Sequence, residues 1–481
     1  MAAFFVSNMQ GSIRMSKIPV KDVTPETQSL YQKREKIYMR EVEGLFNSLR
    51  QWLLVSLMIV FYGSVWLKWD GRQAILFDLP ARQFHIFGIT FWPQDFMLLA
   101  WMLIIAAYGL FTVTNYAGRI WCGYACPQTT FSFLFMWIEE KIEGTRNARI
   151  KLDKQPNSAD KIRKKTIKHT LWVIVALWSG MTFVGYFTPI RELVPDYFTL
   201  TANGWALFWV SFVGFMTYMN AGFLREQVCI YMCPYARFQS VMYDSDTYAV
   251  SYDYNRGEPR GFRTKSQTKE EQDALGDCVD CSLCVQVCPV GIDIRDGLQY
   301  QCIACGLCID ACDTVMDKIE KPRGLIRYAT EEELKGGKTH FIRPRLVGYF
   351  AVMLIMITAF SYVLLTRTPF KLEVERGRGT LYQLTVNDTV TNGYNLKLIN
   401  MSQSPQSYTL AVEGLDGLQM DAETTYSLNV NELREVLITL EIDPAKVKLT
   451  NSRNEIKFVV RDAETGEIVK EAKNAFIAPL N

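Results

Sequence analysis

Histidine is scarce: His85, His169 and His340 are the only three in 481 residues. A bis-histidine haem needs two of them on facing helices at one depth. These three are expected in an outer loop and near the cytoplasmic ends of two helices, so haem is disfavoured. Nucleotide loops are missing as well. No G-x-G-x-x-G occurs, and the "GGKT" at Gly336–Thr339 has Glu332 where a phosphate loop needs its leading glycine. Neither sign of charge dominates, with 52 basic against 50 acidic residues, so no nucleic-acid partner is indicated. The first 44 residues are mostly polar and charged, and no signal peptide is expected there. Cysteine is absent after Cys312, which excludes a disulfide in that whole region.

What is abundant is apolar: 49% of the residues are hydrophobic and 13% aromatic. Five stretches reach the roughly 20 apolar residues that cross a bilayer. They run approximately Gln51–Trp69, Phe96–Tyr116, Thr170–Phe187, Trp205–Leu224 and Leu346–Leu365. Trp66, Trp69, Trp92, Trp172 and Trp205 stand where an interfacial aromatic belt is expected. A sixth apolar stretch, Ile120–Ile138, is interrupted by Gly123 and Pro127. Charge decides whether it crosses. Segment 139–168 holds ten Lys or Arg, and the N-terminal arm is also basic. Positive loops stay on the cytoplasmic side, and five crossings put both inside, whereas six would not. The chain is therefore read as entering from the cytoplasm and ending outside, with 120–138 lying at or re-entering the cytoplasmic face.

Two of these hydrophobic hairpins end in one device. "WCGYACPQTTF" carries Cys122, Cys126 and Pro127, and "CIYMCPYARF" carries Cys229, Cys233 and Pro234. Equivalent cysteines are 107 residues apart, and Phe131 and Phe238 follow at the same distance. This is an internal repeat, able to gather four thiols about a pseudo-two-fold axis. The i, i+4 spacing suggests two sulfurs on one face of a helical turn. Such thiolates suit Cu(I), zinc or a further iron–sulfur cluster; small buried hydrophobes or a resting disulfide are the bland alternatives. Arg225 and Arg237 flank the second pair and are candidates to stabilise its thiolates, or are ordinary positive-inside residues.

The most specific signal is "CVDCSLCVQVCPVGIDIRDGLQYQCIACGLCIDACD". Cys278, Cys281, Cys284 and Cys288 have C-x2-C-x2-C-x3-C spacing, and Cys302, Cys305, Cys308 and Cys312 repeat it. In bacterial two-cluster ferredoxins the fourth cysteine of each run ligates the other cluster. One 4Fe-4S cluster is thus expected on Cys278, Cys281, Cys284 and Cys312, and a second on Cys302, Cys305, Cys308 and Cys288. Asp313 stands where the second run would have proline, which should alter the local turn without removing a ligand. Zinc ribbons lack this cadence, and disulfides are disfavoured in a reducing cytosol. These eight cysteines and the four paired ones account for all 12 in the chain.

From Arg367 on the texture changes. Short runs alternate apolar and polar residues ("YNLKLINMS", "EVLITLEI", "EIKFVVRD") between turn signals such as "EGLDG". That reads as an antiparallel, immunoglobulin-like sandwich, expected to dock another membrane protein. The fold class is thus a polytopic α-helical membrane protein with an inserted two-cluster ferredoxin-like module and a C-terminal immunoglobulin-like β-sandwich. Its expected divisions are a cytoplasmic arm (1–50), a first hairpin with its Cys pair (51–138), a basic loop (139–169) and a second hairpin (170–240). The ferredoxin-like module (241–345), a fifth helix (346–366) and a periplasmic sandwich (367–481) follow.

This architecture, with "WCGYACPQTTF", "CIYMCPYARFQSVMYD" and "CVDCSLCVQVCPVGIDIR", resembles the FixG/RdxA/CcoG family of cytochrome c oxidase accessory proteins over nearly the whole chain. The resemblance implies a bacterial inner-membrane protein acting in assembly of a cbb3-type oxidase by reducing Cu(II) to Cu(I). Cys122, Cys126, Cys229 and Cys233 would then be the copper-contacting thiols. Implied partners are copper ions, oxidase subunits or copper-delivery proteins, membrane lipid, and a quinol, ferredoxin or flavoprotein as electron donor; a homodimer is compatible. Two other readings remain. One is a quinol-linked conduit resembling the ferredoxin-type membrane subunits of periplasmic nitrate reductase or the nitrous oxide regulator. The other is a redox-sensing scaffold without catalysis.

Overall fold

The computed structural model describes residues 36–263, 268, 270, 274–366, 368, 370–377, 379–385, 388–402, 404–430, 432–443 and 451–479, without the side chains of Gln94 and Ser240. Residues 1–38 form a unit of their own, of which only 36–38 are described; every element below belongs to the second unit, Met39–Asn481. The expected arm at 1–50 therefore lies outside the described residues up to 35. Its last six residues belong to the first helix, α1 (Leu45–Ser64).

Five helices are long and apolar enough to cross a membrane: α1, α2 (Phe96–Ala117), α6 (Ala159–Val184), α8 (Gly204–Thr217) with its π-helical continuation to Leu224, and α11 (Pro344–Leu365). Between them lie α3 (Ile120–Tyr124), α4 (Pro127–Glu143), α5 (Arg146–Lys154), α7 (Ile190–Thr199), α9 (Pro234–Met242) and α10 (Leu307–Lys318).

Several borders differ from those read off the sequence, and two have clear local causes. α1 stops at Ser64 rather than running to Trp69, because Asp70-Gly71 adopts positive φ and folds Lys68–Trp69 back on Arg72–Gln73. Asp-Gly is a favoured two-residue hairpin turn. A three-stranded antiparallel sheet follows (Ile75–Asp78, Gln83–Ile86, Ile89–Phe91), so His85 sits in a strand rather than a loop. α6 begins eleven residues before the expected Thr170. Ser158 caps it, its side chain accepting from the Lys161 N–H at 3.2 Å, and Asp160 places an acid in the first turn. Much of the basic segment 139–168 is thus helical. Its Lys165 and Lys168 turn inward to the buried Glu143 at 2.9 and 2.8 Å. Trp172 on α6 stacks on Phe135 of α4 at 5.3 Å and donates its indole N–H to that residue's carbonyl at 3.0 Å, joining the two helices.

In the ferredoxin-like part, Ala249–Tyr252 pairs antiparallel with Ile326–Ala329. The C-terminal part is a sandwich. One sheet runs 419–421, 433–442, 390–400 and 370–376, with 383–384 also on 390–400; the other runs 425–428, 406–413, 453–462 and 468–477. Alternation along Val390–Asn400 sends Val390, Tyr394, Leu396 and Leu398 inward, where they meet Phe458, Ile456 and Phe476 of the facing sheet.

Candidate functional site

Each Cys-Pro device is a break between helices. Cys122 lies in α3, whereas Cys126 has extended backbone (φ −65°, ψ 128°) and caps α4, whose first residue is Pro127. Cys229 lies in a π-helical turn (Val228–Met232), and Cys233, again extended (φ −82°, ψ 110°), caps α9 at Pro234. The residue before proline is pushed out of the α region, so the pairs do not share one face of a continuous helix. The repeat persists in the second cysteine of each pair, extended in both halves and followed by a proline at N1, although the first lies in an α-helix in one half and in a π-helical turn in the other.

The four paired thiols lie within electrostatic reach of one another, Cys229 acting with Cys126, Cys122 and Cys233. Burial raises the Cys122 thiol above its usual value, opposed by the Arg119 guanidinium; burial pushes Cys229 up to about 12. Arg119 approaches Cys122 Sγ at 3.9 Å and donates to Gln239 Oε1 at 3.0 Å, and the Cys122 thiol donates to that same oxygen at 3.3 Å. Arg225 lines a small cavity with Cys229, but its hydrogen bonds go elsewhere. It is paired with the buried Glu139 and donates to the Gly222 carbonyl at 2.9 Å, while Arg237 is exposed. The histidines have partners elsewhere: His85 with Thr90 (3.0 Å), His169 with Tyr218 (3.0 Å) and His340 with Asp246 (3.4 Å).

None of the eight ferredoxin-type cysteines is in a disulfide. Cys312 has Cys284, Cys278 and Cys281 as electrostatic neighbours, and Cys288 has Cys305 and Cys302. These are the neighbours that the crossed grouping expected from the spacing requires. Both runs also bend alike. The residue before the second cysteine (Asp280, Ala304) and the one after it (Ser282, Gly306) all have positive φ, between 50° and 75°. Left-handed backbone at ordinary residues costs about 1–2 kcal/mol each, and persists where a site demands it. Gly306 also needs its missing Cβ, which would lie 2.8 Å from the Phe46 ring.

Burial pushes the Cys284, Cys288 and Cys312 thiols up to about 12 and Cys302 to about 11. Bare thiolates are disfavoured here, and metal binding would take up their charge. Cys284, Cys288, Cys302, Cys305 and Cys308 line one small cavity with Val250, Ile292 and Ile294. Donor set, crossing and apolar cradle fit two 4Fe-4S clusters. In a cubane each thiolate holds a different iron, so the ligands need not converge on a point. Where Asp313 replaces proline, α10 simply continues to Lys318, and the carboxylate accepts from the Gly324 N–H at 2.9 Å.

The two cysteine groups touch. Cys122, Cys305, Ile303 and Leu307 share one buried cluster. A Cβ on Gly123 would stand 2.7 Å from the Ile303 carbonyl oxygen, so only glycine permits this approach. Tyr124 donates to the Cys305 carbonyl at 3.1 Å.

Three family models match. A 4Fe-4S dicluster domain covers 224–331, a 4Fe-4S binding domain covers 97–144, and the Ig-like fold at the C-terminus of FixG covers 360–479. Among curated proteins, "Nitrogen fixation protein FixG" of Rhizobium meliloti is 39% identical over 81% of this chain and 82% of its own length. "Protein RdxB" of Cereibacter sphaeroides is 38% identical over 93% and 97%, and "Protein RdxA" of the same organism 40% over 84% and 88%. The chain belongs to the FixG/RdxA family. This family member is a membrane 4Fe-4S electron-transfer protein with a C-terminal Ig-like domain.

The donor geometry gives no support for a copper or other single-ion centre at the paired thiols. Among the described residues no three His, Cys, Asp or Glu side chains converge to hold a metal ion. Sequence reading missed Arg119, Gln239 and the buried Arg50. The available signal for Arg119 was the basic residue shortly before each Cys pair, at 119 and 225.

Proposed function

We propose that this FixG/RdxA family member passes single electrons to Cu(II) arriving at the paired thiols and releases Cu(I) for assembly of a cbb3-type cytochrome oxidase. The observation that carries the reading is the shared packing of Cys122 with Cys305, which sets the two thiol groups side by side. Cys278, Cys281, Cys284 and Cys312 would hold one cluster and Cys302, Cys305, Cys308 and Cys288 the other. When bound, clusters of this class supply single low-potential electrons. Cys122, Cys126, Cys229 and Cys233 receive copper as substrate: Cu(II) gains one electron, and the product prefers soft sulfur. Arg119 and Gln239 hold Cys122 in place for this. Electrons enter from a quinol, a ferredoxin or a flavoprotein. The ten Lys or Arg of segment 139–168 support a cytoplasmic location for both cysteine groups and a periplasmic sandwich, in a bacterial inner membrane.

The test uses anaerobic, dithionite-reduced and desalted protein given Cu(II) beside a Cu(I)-specific chelator. The parent should form Cu(I) as its reduced-cluster EPR signal fades. A Cys122/Cys126/Cys229/Cys233 serine variant with its iron intact should form almost none; undiminished Cu(I) there would sink the proposal.

One observation favours the quinol-linked conduit instead. The 4Fe-4S binding model covering 97–144 falls on a segment whose cysteines are Cys122 and Cys126 alone. On that reading the paired thiols hold a further cluster, and iron content rises accordingly.

A further inference from the structure

Arg50 is fully buried, and none of its three guanidinium nitrogens has a hydrogen-bond partner among the described residues. A cation removed from water without a counter-charge is severely penalised. The Phe133 ring, 4.9 Å from Cζ, covers one side and offers only a cation–π contact. Arg50 also lines a small cavity with Pro289, Val290 and Ile303, from the segments that carry Cys288 and Cys302, with Cys229 of the second pair, and with the buried Arg225 and Glu226, neither of which is hydrogen-bonded to it. Its charge acts on Cys305 and Cys288.

The placement is built in. Asp310, between Cys308 and Cys312 on α10, accepts from the backbone N–H groups of Phe46 (3.2 Å) and Asn47 (2.7 Å), pinning the start of α1 to the ferredoxin-like module. Arg50 follows Phe46 by one helical turn and lies on the same face.

Among the described residues, cations near the other cysteine group are ion-paired: Arg256 and Lys321 sit on Asp277. Arg295 acts on Cys284, but it is clamped to Asp293 by bonds of 2.8 and 2.6 Å and paired with Asp280. The Asp313 carboxylate acts on Cys312. Two carboxylates around one guanidinium leave net negative charge.

We propose that Arg50 is the counter-cation of the cluster held by Cys288, Cys302, Cys305 and Cys308 and makes it the higher-potential of the two, so that an electron rests beside the paired thiols. The inference rests on the two-cluster reading above. Reduction adds negative charge to an already anionic iron–sulfur–thiolate group, and a nearby unpaired cation in a low-dielectric interior stabilises the reduced form. Arg50 is a positioning residue: it acts through the cluster and touches no copper.

The test is a potentiometric EPR titration of the full-length protein, parent against Arg50→Gln and Arg50→Lys, after iron and sulfide are counted. The parent should hold about eight irons, as two 4Fe-4S clusters require, and show two separate midpoints. Arg50→Gln should lower the higher midpoint and leave the lower one in place, while Arg50→Lys should retain most of the separation. With iron retained, unchanged midpoints or a shift confined to the lower one overturns the inference and leaves the cluster reading standing. A parent with far fewer irons overturns the cluster reading itself and this inference with it. Should Arg50→Gln lose its iron, Asp280→Asn decides: Asn tolerates the positive φ there, and removing that carboxylate should raise the lower midpoint. A fixed lower midpoint in a fully loaded Asp280→Asn protein overturns the assignment.

Discussion

Arg119 and Arg225 show how far single residues can be read. Both precede a Cys pair by three or four positions, yet Arg119 reaches Cys122 while Arg225 turns to Glu139. The difference is the buried carboxylate on α4, 86 residues away, which no local pattern exposes. The eight ferredoxin-type cysteines stand out because their spacing matches that of a two-cluster ligand set. Arg50 does not, since an arginine before an apolar run looks like any positive-inside residue until its burial is known. His85 gives a test at this scale. Burial, helped by Arg72, depresses its imidazole to about 4. Between about pH 6.5 and 4 the unfolded chain therefore binds a proton that the folded one refuses. The stability present above the upper value is lost as pH falls toward the lower one. Thermal unfolding in detergent should lose less between about pH 7 and 5 in His85→Asn than in the parent, on the same linkage argument. Parallel acid profiles would exclude His85 as the group responsible.

At the scale of elements, membrane helices follow from apolar length, and strands such as Val390–Asn400 from alternation. Their ends do not. α1 ended early because Asp70-Gly71 made a hairpin, and α6 began early because Ser158 capped it; both signals are short and lie outside the apolar windows. The extended conformations at Cys126 and Cys233 follow from the prolines after them, a rule visible in the sequence that the i, i+4 spacing overshadowed. The join between α1 and α10 rests on Asp310. Losing a carboxylate cap at a helix N-terminus costs about 1 kcal/mol. Asp310→Ala should therefore cost unfolding free energy of that order, lowering the denaturation midpoint, and speed iron loss under chelator challenge. An unchanged midpoint and unchanged iron retention would remove Asp310 from this role.

Across the whole molecule, two copies of one hairpin-and-cysteine unit meet beside a module with two four-cysteine groups. The close approach at Gly123 joins the two kinds of thiol site. The repeat was legible from the 107-residue offset, but its contact with Cys305 was not, because that contact spans more of the chain than the offset does. On the proposed function, eight cysteines hold iron and four are left for a substrate ion. The most direct test is to count iron and acid-labile sulfide in anaerobically purified parent and in the Cys122/Cys126/Cys229/Cys233 serine variant. Two 4Fe-4S clusters predict about eight irons per chain in both. Iron well above eight in the parent that drops in the variant would place a cluster on the paired thiols and contradict the account.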